Sequence, residues 1–333
     1  MTFRGIQVTR ATEKGVPNEV ALVDVPDEEL ADPALGEVVV EVEYSSLNYK
    51  DGLALTGRPG VVRPERLTAG IDLVGTVAES SAPGIAAGDR VLVNGCGLSE
   101  SHPVGLAERA RVRADWVIPV PERLSTRQAA AIGTAGYTAA LCVLALERGG
   151  LGAGAEVVVT GAAGGVGTIA TLLGAAAGWR VSAVTGRAAL GDTLRGLGAV
   201  DILERSEFVE PGRPLQSSRW DGAVDTVAGD ILANVISQLR YGGTVAACGL
   251  AASASLSVSI MPFILRAVTL AGVDSVEAPR EKRLAAWERL DRDLDLEKLD
   301  SLTEELALGE AIGAASRFFE GGVLGRLVVD VRR

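Results

Sequence analysis

Val157-Val158-Val159-Thr160-Gly161-Ala162-Ala163-Gly164-Gly165-Val166-Gly167-Thr168 reads as a buried strand, a glycine-rich turn and the start of an apolar helix. A helix start carries N–H groups without intrahelical partners and the positive end of the helix dipole. This order is therefore what a dinucleotide pyrophosphate requires. The pattern is A-x-G-x-x-G: Ala162 replaces the usual first glycine, Gly164 lets the backbone approach the phosphates, and Gly167 lets the helix sit close on the strand. A tight turn without a ligand is the competing explanation, and the strand–turn–helix context favours the nucleotide. The next strand, Arg180-Val181-Ser182-Ala183-Val184, ends in Thr185-Gly186-Arg187. An NAD site places Asp or Glu near this point to hold the ribose 2′-hydroxyl. Arg187 instead offers two parallel charge-assisted hydrogen bonds to a 2′-phosphate, so NADP(H) is the expected cofactor.

Strands and helices go on alternating downstream: Gly222–Asp225, a helix over Ile231–Leu239, Gly243–Ala247 and Val268–Val273. That alternation predicts a doubly wound parallel sheet covered on both faces, an α/β architecture. A charged helix is expected over Glu281–Leu296, then a helix over Ile312–Glu320 and a strand over Leu327–Val331. Upstream the character differs. Val38–Tyr44, Gly70–Val77, Val91–Val93, Ala110–Val112 and Trp116–Pro119 are short β-rich runs broken by Gly, Pro and Asp, as in a small barrel or sandwich. The change comes after Pro121, where Ser125 and Gln128 have capping-box spacing ahead of an Ala-rich helix.

The chain carries 43 acidic and 32 basic residues, a formal net charge of −11. With no basic run to neutralise phosphates, a nucleic-acid partner is not expected. No uninterrupted apolar run comes near the ~18–20 residues that cross a bilayer, and the first residues do not read as a secretory signal. A soluble, cytoplasmic protein is the expectation. Cys96, Cys142 and Cys248 are scattered and form no C-x-x-C pair, and His102 is the only histidine, so no metal site is expected. Only Lys14, Lys50, Lys282 and Lys298 are lysines, a compositional bias that makes most arginines ordinary surface charges.

Several further stretches carry a family resemblance. They are Ser45–Ala54 (Ser-Ser-Leu-Asn-Tyr-Lys-Asp-Gly-Leu-Ala), Gly70–Val77, Gly133–Ala139, Tyr241–Gly243, Ala247–Ala251, Met261–Arg266 and Gly272–Ser275. With them the chain resembles, over almost its full length, the acrylyl-CoA reductase or quinone oxidoreductase-like branch of the medium-chain dehydrogenase/reductase superfamily. The resemblance implies a GroES-like catalytic domain over residues 1–124, completed by 296–333, around a Rossmann NADP-binding domain over 125–295. It also implies a homodimer joined through the cofactor-domain sheets. Zinc members carry Gly-His-Glu where this chain has Gly70-Ile71-Asp72, so a zinc-alcohol mechanism is not expected.

The resemblance assigns Ala163, Gly164, Gly165 and Val166 to the pyrophosphate, and Thr185, Gly186 and Arg187 to the 2′-phosphate. Arg205 falls at the adenine end, and Leu250, Ile264 and Ser275 fall along the nicotinamide half. Tyr49 lies on the nicotinamide side, with Asn48, Tyr49 and Asp51 the candidate catalytic residues. Capping of the helix that starts there is the competing role for Asn48 and Asp51, and core packing is the competing role for the apolar residues on the nicotinamide side. The implied activity is NADPH-dependent reduction of a short 2-enoyl-CoA, acrylyl-CoA to propionyl-CoA. An NADPH:quinone or other activated-alkene reductase, and a non-catalytic NADPH-binding regulator, remain open. One stretch departs from the family: Gly95–Gly105 lacks the two expected tryptophans but keeps Glu100 and His102. Loss of those indoles removes apolar faces on which a substrate could rest.

Overall fold

The structure, a computed structural model, describes residues 1–13, 15–103 and 105–333, so Lys14 and Val104 lie outside the described residues. The chain divides into two compact units. One comprises Met1–Thr134, Ser275–Ala285 and Leu299–Arg333, and the other Ala135–Asp274 and Ala286–Lys298. These limits differ from the expected 124/125 and 295/296. The first turns of the helix beginning at Thr126 stay with the first unit because Arg326 Nε donates to the Ala131 carbonyl at 2.6 Å. Ser275–Ala285 also returns to that unit, where Arg283 donates to the carbonyls of Asn94 and Val276.

The second unit is built on a six-stranded sheet. Its spatial order is Ala199–Glu204, Arg180–Thr185, Glu156–Val159, Trp220–Asp225, Leu239–Ala247 and Thr269–Gly272. Every pairing is parallel. Numbered along the chain the order is 3-2-1-4-5-6, the doubly wound arrangement that binds dinucleotides where the order reverses. The reversal falls between Glu156–Val159 and Trp220–Asp225. The helix Gly165–Ala176 that follows the first strand is buried from Gly167 through Gly174, as expected of a helix apolar on all sides. Val158, Val184, Trp220, Val235, Ile236 and Val245 belong to the core beneath the sheet.

The first unit is β-rich. Seven strands form one sheet, with Val38–Leu47 paired to Asp72–Ser80, Arg109–Val112 and Arg326–Asp330. Thr2–Thr9, Glu19–Pro26 and Arg66–Thr68 form a second, smaller sheet. These three strands, Ala199–Glu204 and Thr303–Ala307 are not read in the sequence, because their apolar residues do not alternate cleanly. Thr2–Thr9 buries Ile6 and Val8 on one face and Phe3 on the other. The charged helix is split into Arg280–Asp293 and Leu296–Ser301. The helix expected over Ile312–Glu320 keeps only Ala311–Ala314 as α, then tightens to a 3-10 turn over Ala315–Phe318.

Thr126–Arg148 is the long helix foreseen after Pro121, and Ser125 caps it as expected. Its Oγ accepts from Gln128 N–H at 3.1 Å, and Gln128 Oε1 accepts from Ser125 N–H at 3.2 Å. By length and composition this helix is apolar enough to cross a membrane, which a count of uninterrupted apolar residues misses; 83% of its most apolar window is buried within the protein. Gly133 breaks it, with φ 48° and ψ −160°.

Candidate active site

The phosphate turn is shaped by close backbone approach. Gly161 has φ +59°, and a Cβ there would strike Thr226 Oγ1, which donates to the Thr160 carbonyl at 3.0 Å. A Cβ on Gly167 would collide with the Gly161 carbonyl oxygen and lie 2.6 Å from Ala162 Cα, so only glycine lets the helix press on the turn. Gly164 differs: its φ is −85°, and an added Cβ would meet only the Gly161 oxygen, at 3.3 Å. Its chain neighbours apart, no other atom of the protein comes within 4 Å of that added Cβ, so this side of the turn is open to close approach from outside. The first intrahelical bond is made by Thr168 N–H to the Gly164 carbonyl. The N–H groups of Gly165, Val166 and Gly167 therefore precede the ladder and form an anion-binding end.

At the end of Arg180–Thr185, Thr185 is buried and its Oγ1 accepts from Arg187 N–H at 3.1 Å. Arg187 Nη2 donates to the carbonyl of Ala163, in the phosphate turn, at 3.0 Å. Partial burial lowers its pKa, a desolvated cation that gains from an anionic partner. The Arg205 guanidinium lies over Gly186, where a Cβ would sit 2.9 Å from Cζ. Thr185, Gly186, Arg187, Arg205 and the turn residues Ala163–Val166 are thus one neighbourhood, with two guanidiniums beside the strand end. The turn and this pair fit a dinucleotide bearing an additional phosphate.

Beyond the strand reversal, a cavity of about 450 Å³ opens at the carboxyl ends of Trp220–Asp225, Leu239–Ala247 and Thr269–Gly272, lined by Ala228, Cys248, Gly249, Leu250, Val273 and Asp274. Leu250 is 64% exposed in its wall. Ile264, on the helix Met261–Arg266, is 69% exposed and does not line this cavity. Ser275 belongs to the first unit, where its carbonyl would meet a Cβ on Gly95.

In the first unit, Asn48, Tyr49 and Asp51 open the short helix Tyr49–Leu55. Asp51 is wholly buried. Its Oδ2 accepts from Asn48 N–H at 2.9 Å and Nδ2 at 3.1 Å, and its Oδ1 accepts from Ile71 N–H at 3.1 Å. Burial and then the neighbouring Asp72 carboxylate push its pKa up to about 7, against the hydrogen bonds that favour ionisation. Asp51 is enclosed, and two of its three hydrogen bonds hold Asn48. Tyr49 is 40% exposed, and its ring meets Phe319 edge-on with centroids 5.3 Å apart.

The sequence reading missed the centre of this network. Asp72, with no exposed surface, accepts from Ser46 Oγ at 2.5 Å, Asn48 Nδ2 at 2.8 Å, Asn94 Nδ2 at 2.6 Å, and Thr134 N–H and Oγ1 at 2.9 and 2.6 Å. Arg326 donates to Ser46 Oγ at 2.9 Å; burial lowers its pKa, opposed by Asp72 and Asp51. The Gly133 break turns Thr134 N–H onto Asp72, and a Cβ on Gly133 would lie 2.6 Å from both Asp72 Oδ2 and Ser46 Oγ. The only signal in the sequence was the Gly70-Ile71-Asp72 replacement. Both Asp72 oxygens are committed to hydrogen-bond donors, five in all. Among the described residues no cluster of three or more His, Cys, Asp or Glu side chains has the arrangement of a metal site.

The departing stretch folds tightly, with Cys96 and Ser99 at φ 55° and 64°. His102 Nε2–H donates to the Arg111 carbonyl at 3.0 Å, and its ring packs edge-on against Trp116 at 4.7 Å. Burial lowers its pKa, so it is a neutral packing residue. Glu100 pairs Lys50 at 2.5 Å and Arg63 at 2.9 Å. Burial pushes the Cys96 thiol up to about 11, and Cys142 is buried in its helix as expected.

Residues 34–122 match the alcohol dehydrogenase GroES-like domain family, and residues 165–292 the zinc-binding dehydrogenase family. The chain is 49% identical to acrylyl-CoA reductase AcuI of Ruegeria pomeroyi over 99% of both chains. It superposes on the YhdH oxidoreductase of Salmonella enterica in complex with NADP with a TM-score of 0.94, at 44% identity, covering 98% of this chain and 99% of that one. Bacillus subtilis YhfP with NAD bound superposes with a TM-score of 0.93, at 37% identity, covering 99% and 100%. With its 3-2-1-4-5-6 sheet, β-rich first unit and these relatives, the chain belongs to the acrylyl-CoA reductase and quinone oxidoreductase-like branch of the medium-chain dehydrogenase/reductase superfamily.

Proposed function

We propose that this protein reduces the activated carbon–carbon double bond of a short 2-enoyl-CoA with NADPH, acrylyl-CoA to propionyl-CoA being the expected reaction. The observation that carries the cofactor half is the guanidinium pair: Arg187 tied to Ala163 of the phosphate turn, and Arg205 lying over Gly186. In this reading Ala163, Gly164, Gly165 and Val166 hold the pyrophosphate, and Thr185, Gly186, Arg187 and Arg205 the 2′-phosphate and adenosine. Leu250 flanks the nicotinamide half, and Ile264 and Ser275 are assigned there on family likeness alone. When bound, the reduced nicotinamide would supply a hydride for the substrate β-carbon, and protonation at the α-carbon completes the reduction.

The chain's own task is to orient and to exclude alternatives. Asp51 and Asp72 both accept from Asn48 Nδ2, which locks the amide and leaves Oδ1 as its uncommitted acceptor. Tyr49, partly exposed beside Asn48, orders cofactor or substrate through its ring and hydroxyl. Asp51 is a positioning residue. Holding these groups in one geometry is worth more than adding contacts, since misplacement by about 1 Å can lower rates 100-fold.

A homodimer fits the same reading. The edge strand Thr269–Gly272 is open, and Leu270 on it, Leu265 and Tyr241 are exposed apolar side chains. A cytoplasmic setting agrees with three free cysteines. Following NADPH absorbance with acrylyl-CoA, crotonyl-CoA and a benzoquinone, one at a time, tests the reaction. Turnover of the thioesters supports it. Turnover of the quinone alone favours a quinone reductase, and cofactor binding without any turnover favours a regulator.

A further inference from the structure

We propose that Arg58 binds the phosphate at the end of the substrate's pantetheine arm. The inference rests on the enoyl-CoA reading and adds the residue that distinguishes a CoA thioester from a smaller activated alkene.

The position is fixed locally by a helix stop. Tyr49–Leu55 ends in a Schellman arrangement: Gly57, at φ +71°, donates to the Ala54 carbonyl, and Arg58 N–H donates to the Leu53 carbonyl at 3.0 Å. A Cβ on Gly57 would fall 2.6 Å from the Asn18 carbonyl, so the turn has no other residue open to it. The side chain then folds back over Phe319, with Cζ 3.8 Å from the ring centroid. Phe319 in turn meets Tyr49, the residue assigned to the reacting end. Tyr49 at the start of the helix and Arg58 just beyond its end therefore share one aromatic platform, and their separation through it is at most about 9 Å.

Pairing singles out Arg58. Lys50 and Arg63 share the one carboxylate of Glu100, and Arg66 pairs with Glu29, so the donors of each are engaged. Among the described residues Arg58 makes no ion pair and no side-chain hydrogen bond; it is exposed, with its guanidinium carbon over the Phe319 ring. A guanidinium held on a ring is pre-organised for bidentate phosphate binding. In a chain of net charge −11, a polyanionic thioester is repelled overall and needs such a local cation. The extended pantetheine arm is longer than the Tyr49–Arg58 separation, so the arm bends over the Tyr49–Phe319 pair.

The test compares kcat/KM for acrylyl-CoA, acrylyl-4′-phosphopantetheine and acrylyl-pantetheine in the wild type, Arg58→Ala and Arg58→Lys. The expected result is an approximately tenfold fall, in Arg58→Ala, of the preference for phosphopantetheine over pantetheine thioester, read mainly in KM, with partial recovery in Arg58→Lys. An equal loss on all three substrates is what a structural role gives, and it overturns the proposal. A fall confined to the comparison of acrylyl-CoA with phosphopantetheine moves the contact to another phosphate and overturns the assignment. A wild type that reduces acrylyl-CoA while Arg58→Ala keeps its preference overturns this inference alone. A wild type that reduces none of the three overturns the enoyl-CoA reading and the inference with it.

Discussion

Asp51→Asn replaces a buried titratable carboxyl by an amide of nearly the same size. The Asp51 carboxyl has a pKa of about 7 against an ordinary 3.8, chiefly because burial penalises its charged form. The folded protein therefore holds a proton that the unfolded chain releases above its own pKa. Stability from this group is complete below the unfolded value and is lost as pH rises through the folded value. A shift of about 3 units corresponds to roughly 4 kcal/mol, more than half of which falls between about pH 5 and pH 8. The Asn variant has no proton to lose, but its amide faces N–H donors from Asn48 and Ile71, a mismatch of about 1–3 kcal/mol at any pH. Urea unfolding of both proteins at intervals from about pH 5 to pH 8 gives the difference, in which groups common to both, His102 included, cancel. The variant's deficit should shrink by roughly 2–3 kcal/mol across that window. A deficit that stays constant to within about 0.5 kcal/mol would refute the buried-proton reasoning.

Arg187→Ala should raise the KM for NADPH by about 10- to 100-fold and leave that for NADH nearly unchanged; equal effects in steady-state assays with each cofactor would discredit the 2′-phosphate assignment. Gly164→Ala and Gly167→Ala should part company. The first should keep stability to within about 1 kcal/mol while weakening NADPH binding, and the second, forced against the Gly161 carbonyl, should lose about 1–3 kcal/mol. Thermal unfolding with and without NADPH separates them, and identical behaviour would contradict the turn geometry. Arg326→Met should destabilise by about 3–5 kcal/mol in urea unfolding, because Asp72 loses its buried countercharge. Adding Asp72→Asn should recover part of that loss, and strict additivity would argue against coupling.

Local chemistry made the nucleotide half legible. Strand, turn and helix are contiguous over Val157–Thr168, and Thr185-Gly186-Arg187 follows at the end of the adjoining strand, so a short window contains both the geometry and the charge. The same holds for the Ser125 cap. Strands such as Thr2–Thr9 were invisible because what they bury is set by which strands pair with them, and a weak alternation does not record that.

The catalytic half was legible only at its edge. Ser46, Asn48, Tyr49 and Asp51 stand together in sequence, but Asp72, Asn94, Thr134 and Arg326 are drawn from four other segments and join them only in the folded unit. A buried carboxylate must recruit donors from wherever the chain brings them, because an unpaired one is too costly to leave in the interior. Sequence spacing carries the contacts made within one element, as in the phosphate turn. Contacts between elements, and with them the pKa of Asp51, the break at Gly133 and the meeting of Tyr49 with Phe319, depend on packing across the unit and were fixed only by tertiary structure.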